Sequence, residues 1–274
     1  MNRDNRITEV HAEPVIALDP EQFAHLALHR GLIVRRALLS SAIRGFLPVP
    51  MVDDVLAGRV RAGLYAKLAA GRLVDLPPAS AAVLAEVKGQ GAAAKLSLAA
   101  AAAVIARFAG RKFLALVAAG RGAEEMAQIY YSATFFDHYC ARLHVGGEIT
   151  LARARRLRPC LAVKASDLSV GPVRAAFAEG SRILGRSLLE APRWVSQRMT
   201  ALSERFVHSG GNPDVLDAFP EDRAAETAWL DRAAHAVEEA MAQAGNEHLS
   251  RILLTFEERW QSDESHEQQR APAP

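Results

Sequence analysis

The stretch Leu32 to Leu68, LIVRRALLSSAIRGFLPVPMVDDVLAGRVRAGLYAKL, most constrains what this chain can fold into. Its first half places Val34, Leu38, Ser41 and Gly45 on one helical row, with Ile33, Ala37 and Ile43 beside it. Arg35, Arg36 and Arg44 flank that stripe, which predicts a basic amphipathic helix. Leu47-Pro48-Val49-Pro50 ends it, because proline drives the preceding residue out of the helical region. Asp53 and Asp54 then occupy a first turn, where carboxylates favour the positive end of the helix dipole. Val52, Val55, Leu56, Val60, Leu64 and Leu68 supply the apolar face of this second helix.

The rest of the chain reads as more helix. Apolar residues make up 50% of the sequence but aromatics only 6%, so small side chains dominate. Alanine is the best helix former and permits close helix packing. Alternating windows of β-branched and aromatic residues, the mark of a strand, are missing. The expected fold class is therefore all-α: a multi-helix bundle with an Ala-rich hairpin and an appended C-terminal helical part. The expected organisation is a flexible arm over 1–18, a helical domain over 19–164, a C-terminal helical region over 165–261 and a disordered tail over 262–274. Asp19-Pro20-Glu21-Gln22 opens the first short helix, which Gly31 separates from the next. Ala123 to Val145 is a long helix carrying five of the chain's fourteen Phe and Tyr residues, capped by Gly146-Gly147. Thr150 opens a basic helix with Arg153, Arg155, Arg156 and Arg158, closed near Pro159. Later helices are expected from Val170 to His208, split by Pro192, from Glu221 to Ala244, and from Glu247 to Trp260.

The net charge of +2 conceals an asymmetry. Ala27 to Lys164 holds 20 Lys and Arg against 8 Asp and Glu, whereas Ala165 to Pro274 holds 11 against 18. Such a basic middle has three candidate partners: an anionic membrane surface, nucleic acid, or an acidic protein segment including the chain's own C-terminal part. No helix-turn-helix or other reader motif supports nucleic acid. The two cysteines, Cys140 and Cys160, lack metal-type spacing and suit a reducing compartment. The polar, acid-containing N-terminus is no signal peptide. A cytoplasmic protein, peripheral at most to the inner membrane, is the expectation.

Ala92 to Ala119 is the most apolar segment. Arg107, Arg111 and Lys112 interrupt it, and only 11 uncharged residues separate Lys95 from Arg107. A span needs about 20 apolar residues, so this reads as a pair of helices broken at Gly110, interfacial or re-entrant at most.

The order of these features carries a resemblance. Leu47-Pro48-Val49-Pro50 with Asp53 and a helix ending near Tyr65 comes first. The Ala-rich hairpin follows, then Tyr131-Ser132-Ala133-Thr134-Phe135-Phe136-Asp137-His138-Tyr139, closed by Gly146-Gly147-Glu148-Ile149. Over about residues 32–158 this resembles the YcjF-like, EcsC-type group of bacterial helical domains. The resemblance implies a membrane-associated helical module of a kind sometimes fused behind a small GTPase domain. Gly89-Gln90-Gly91 and Lys95 do not form a G-x-x-x-x-G-K-[ST] loop, so no phosphate cradle is expected.

Three constellations are candidates for chemistry. Asp137, His138, Cys140 and His144 are close in sequence, and Cys140 and His144 are four apart on one helix face. Zinc asks for more ligands than this cluster offers, and His208, His235, His248 and Cys160 lie in other segments. A Cys140–His144 nucleophile pair would need a solvent-open pocket. Asp53 and Asp54 are a candidate acid–base pair with a simpler capping role. The aromatic row from Tyr130 to Tyr139 reads as core, with base stacking or a lipid interface as alternatives. The sequence therefore predicts no catalytic, cofactor or metal residues and a non-enzymatic helical module, peripheral or re-entrant at a membrane, that recruits or scaffolds; the alternative is a soluble adaptor that binds an acidic protein partner through the basic middle region. Its basic surface would comprise Arg35, Arg36, Arg44, Arg59, Arg61, Lys67 and Arg153 to Arg158.

Overall fold

The computed structural model describes residues 20–46, 52–86, 121–163, 171–190, 224–244 and 247–270. Of these residues 86% are helical, which makes the fold an all-α multi-helix bundle. The helices are α1 (Ala27–Phe46), α2 (Val52–Gly71), α3 (Pro78–Leu84), α4 (Arg121–His138), α5 (Leu151–Cys160), α6 (Pro172–Glu190), α7 (Ala224–Ala244) and α8 (Glu247–Arg270). A 3-10 turn over Pro20–Leu26 leads into α1, and a π turn over Tyr139–Leu143 follows α4. The 1–18 arm, the Leu47–Pro50 corner, the Ala92–Ala119 segment, the helix from Trp194 to Phe206 and residues 271–274 lie outside the described residues.

Two helices are central. α1 packs on α2, α4 and α7, and α4 packs on α1, α2 and α6. In α4 the aromatic row is the core itself: Tyr130, Tyr131, Phe135, Phe136 and Tyr139 are all buried. Tyr65 of α2 meets Phe136 edge-on, and Phe256 of α8 stacks on Phe135 at 5.1 Å. Neither base stacking nor a lipid interface is open to these rings. α1 also departs from expectation. Arg36 does not flank an exposed stripe but is buried, along with Ile33, Val34 and Ala37 to Ser40. A helix buried on most sides belongs inside a bundle rather than at a surface. It also runs straight through Gly31, because burial of its flanking turns outweighs the ~1 kcal/mol that glycine costs a helix.

The C-terminal helices share this core rather than forming a separate one. Val173, Ala176 and Phe177 of α6, Ala233 and Val237 of α7, and Leu253, Phe256 and Trp260 of α8 join one buried cluster with α1, α2 and α4. α6 and α7 lie against each other because Gly180 has no side chain. A Cβ there would fall 2.4 Å from Val237 Cγ2 and 3.2 Å from the Ala233 carbonyl. The tail expected to be disordered from 262 is helical through Arg270. Asp263 and Glu264 hold it, 3.0 and 3.1 Å from Arg156 and Arg153 of α5.

α4 ends earlier than expected. Its last turn widens to π geometry, with the His144 amide donating to the Tyr139 carbonyl at 2.8 Å, and Gly146 follows at φ +113°. The loop then pairs with the end of α2. The Asp75 amide donates to Gly147, and the Ile149 amide donates to Asp75. α2 itself closes with a Schellman turn, in which Val74 donates to Ala69 and Leu73 donates to Ala70. The left-handed position of that turn, which favours glycine, holds Leu73 at φ 58° with its side chain 94% exposed. Leu73→Gly is expected to stabilise the fold by about 1 kcal/mol, since a left-handed L-residue costs ~1–2 kcal/mol and this leucine buries nothing. Thermal denaturation of the variant checks this as a raised midpoint.

Candidate functional site

The Schellman turn places Arg72 where the ends of α1, α2 and α4 meet. Its Nε and one Nη donate to the two oxygens of Asp137, both at 2.8 Å. The same Nη donates to the His25 carbonyl at 2.7 Å. Asp137 is fully buried, and His29 Nδ1 lies 2.7 Å from its Oδ1. This carboxylate therefore holds a bidentate guanidinium and an imidazole at once. The carboxylate hydrogen bonds keep the Arg72 guanidinium protonated beyond its ordinary range. Gly71 makes room for the arrangement: a Cβ there would stand 2.4 Å from His29 Nε2.

His138, next in the chain, faces the other way. Its Nε2 is 2.6 Å from Glu257 Oε1 of α8, and its Nδ1 is 3.0 Å from His25 Nε2. Phe23 and Phe256 pack beside its ring. Burial pushes His138 below the usual histidine range, against the pull of Glu257. Burial also lowers His25, to about 4, with help from the His138, Arg142 and Arg72 charges. One continuous polar seam thus ties the 3-10 turn, α1, the end of α2, α4 and α8 together.

Of the four sequence candidates on α4 and its π turn, the seam contains Asp137 and His138 and leaves out the other two. Cys140 is buried, and burial pushes its thiol up, away from a nucleophilic thiolate. His144 Nδ1 lies 3.3 Å from the Tyr139 hydroxyl, and burial, with the Arg153 charge, pushes the ring below the usual histidine range. The pair lacks the hydrogen bond and the activated thiol that a cysteine nucleophile needs. Asp53 and Asp54 fall in the first turn of α2. His235 is exposed on α7, and His248 Nε2 meets the Tyr131 hydroxyl at 3.1 Å. Cys160 is buried over the Arg156 carbonyl. His208 lies outside the described residues.

The sequence reading missed His25, His29, Arg72 and Glu257. The spacing of four between His25 and His29, one helical turn, was the available signal. Arg72 gave none, because only the fold-back of the α2 cap turns it inward. Chemically, the seam pairs buried charges and closes on itself. No group of three or more His, Cys, Asp or Glu among the described residues is arranged to hold a metal ion. A cavity of about 130 Å³ lies elsewhere, between α4 and α8, lined by Phe135, Val163, His248, Arg251, Phe256 and Arg259.

A second polar site lies along α5. Thr150 caps the helix by accepting from the Arg153 amide. Arg153 and Arg156 bind Glu264 and Asp263, and their guanidinium carbons lie 5.8 and 5.5 Å from the centre of the Trp260 ring. Arg158 binds Glu86 at 2.6 Å. Arg155, exposed between them, points to solvent. No protein-family model, curated protein or solved structure matches the chain. No helix among the described residues is long and apolar enough to cross a membrane.

Proposed function

We propose that this protein is a non-enzymatic helical adaptor that engages an acidic protein partner through the basic face of α5. One observation carries the reading: Arg153, Arg156 and Arg158 each meet a carboxylate from another element, two of them from one turn of a helix. The face has the spacing to hold an acidic helix, and α8 occupies it in cis, its own Trp260 lying under Arg153 and Arg156. Partly exposed ion pairs of this kind are individually worth ~0–1 kcal/mol, so exchanging the Asp263 and Glu264 carboxylates for those of a partner is inexpensive. The thiol at Cys140 and the closed seam at Asp137 favour a structural rather than a catalytic use of the titratable groups.

A second reading rests on Ala92 to Ala119, whose apolar composition suits contact with an anionic membrane surface. It makes the protein a peripheral scaffold at the cytoplasmic face of a membrane.

The full-length chain with Asp263→Lys and Glu264→Lys, which frees the α5 face, separates the two. The probes are a labelled peptide spanning residues 251–270 of the native sequence and phosphatidylserine-containing vesicles. Saturable peptide binding, weakened about tenfold or more by Arg153→Glu with Arg156→Glu and by added salt, is the expected result. Vesicle binding without peptide binding overturns the adaptor reading in favour of the scaffold. Binding of neither probe removes both.

A further inference from the structure

The protons of the Glu257–His138–His25 chain can be counted. With Glu257 ionised, His138 Nε2 donates to it across 2.6 Å. The neutral His138 ring then accepts at Nδ1, so His25 Nε2 donates across 3.0 Å. Two protons fill two hydrogen bonds, and the lone pair left over is at His25 Nδ1. That atom is buried and has no hydrogen-bond partner. A third proton has two places to go. On His25 Nδ1 it creates a buried N–H with no acceptor. On the outer oxygen of Glu257 it discharges the carboxylate that holds His138. Placing it between the rings would set two N–H groups head to head at 3.0 Å. Each route destabilises the closed arrangement: the first by an unsatisfied buried N–H, the second by weakening the bond to His138, the third by breaking the bond between the rings.

The surroundings do not rescue the extra charge. Arg72 and Arg142 both oppose another cation near His25, and Arg142 opposes one at His138. Asp137 favours one, but its oxygens already receive Arg72 and His29. From α8, Glu257 is the charged group that meets the pair.

We propose that the Glu257–His138–His25 chain is a proton-sensitive clasp. It pins the Pro20–Leu26 turn and α8 to the end of α4 near neutral pH and lets them go under mild acid. This inference stands on the seam alone and does not depend on what binds α5.

The sign follows from linkage. A histidine whose folded pKa is lowered contributes stability that is fully present above the unfolded value of about 6.5. That contribution is lost as pH falls from about 6.5 toward the folded value of about 4 for His25. Amide hydrogen exchange on the full-length chain is the test, with rates corrected for the intrinsic pH effect. Between about pH 7 and about pH 5, residues 20–26 and 247–260 are expected to lose protection at least tenfold, ahead of α1 and α2. His25→Gln retains a donor toward His138 but cannot take up the proton, so its acid response should shrink at least severalfold, to the part that His138 contributes. Nitrogen NMR of the wild-type imidazoles gives a readout that needs no variant: at neutral pH His25 should carry its proton on Nε2. A proton on Nδ1 instead, or an acid response undiminished in His25→Gln, overturns the proposal.

Discussion

Replacing Asp137 with alanine is expected to cost about 3–5 kcal/mol of stability, read as a lowered urea midpoint with an unchanged slope. The reason is what the carboxylate leaves behind. Asp137 is completely buried, and the Arg72 guanidinium that it holds is itself only 14% exposed. Without the carboxylate, Arg72 keeps its bond to the His25 carbonyl but carries an uncompensated charge, and His29 loses the acceptor for Nδ1. A domain is stable by only ~5–15 kcal/mol, so this single change removes a large fraction of the total. The pair as a whole contributes far less than either deletion suggests, because desolvating both ions offsets their attraction. The double replacement Arg72→Met with Asp137→Leu should therefore recover most of the loss. If Asp137→Ala alone lowered the stability by less than about 1 kcal/mol, the seam would be ornamental rather than a tie between α1, α2 and α4.

The helical class was legible because it depends on local chemistry: alanine, spaced leucines and the Thr150 cap all act within a few residues, whereas the helical run before Gly146-Gly147 already closes at His144. The burial of α4 was legible for the same reason, since a row of five aromatics has few stable places outside a core. Long-range pairing is where the reading ran out. Arg36 looked like a flank of an amphipathic stripe, because periodicity reports one partner face and α1 has several. The tail after Gln261 looked disordered because it is polar, yet Asp263 and Glu264 find their partners more than a hundred residues upstream. The basic middle and acidic end did register as a whole-chain asymmetry, and the α5–α8 ion pairs are one place where that asymmetry is met. Asp137 and His138 were singled out with the wrong companions. Their neighbours in sequence, Cys140 and His144, drew attention that belonged to residues brought in by tertiary folding.

Trp260→Ala should be about as damaging as Asp137→Ala, at about 3–5 kcal/mol, for a different reason. The ring is 1% exposed, meets Tyr139 edge-on at 5.0 Å, and forms the floor under Arg153 and Arg156. Removing it opens a cavity where α8 crosses the end of α4, and it loosens the two arginines that anchor Asp263 and Glu264. Trp260→Phe separates packing from polarity. The indole Nε1 is buried without a hydrogen-bond partner, so phenylalanine gives up some contact area but also relieves that unmet donor. Its cost should stay within about 1 kcal/mol, far below that of alanine. Far-UV circular dichroism is the suitable probe, because the substitution removes one of the three tryptophans and alters fluorescence directly. A single cooperative transition in Trp260→Ala, shifted down as a whole, is the expected result. Loss of α8 alone, with the remaining helices melting at the wild-type midpoint, would mean that the C-terminal helix is an appendage, and its place in the shared core would then be energetically idle.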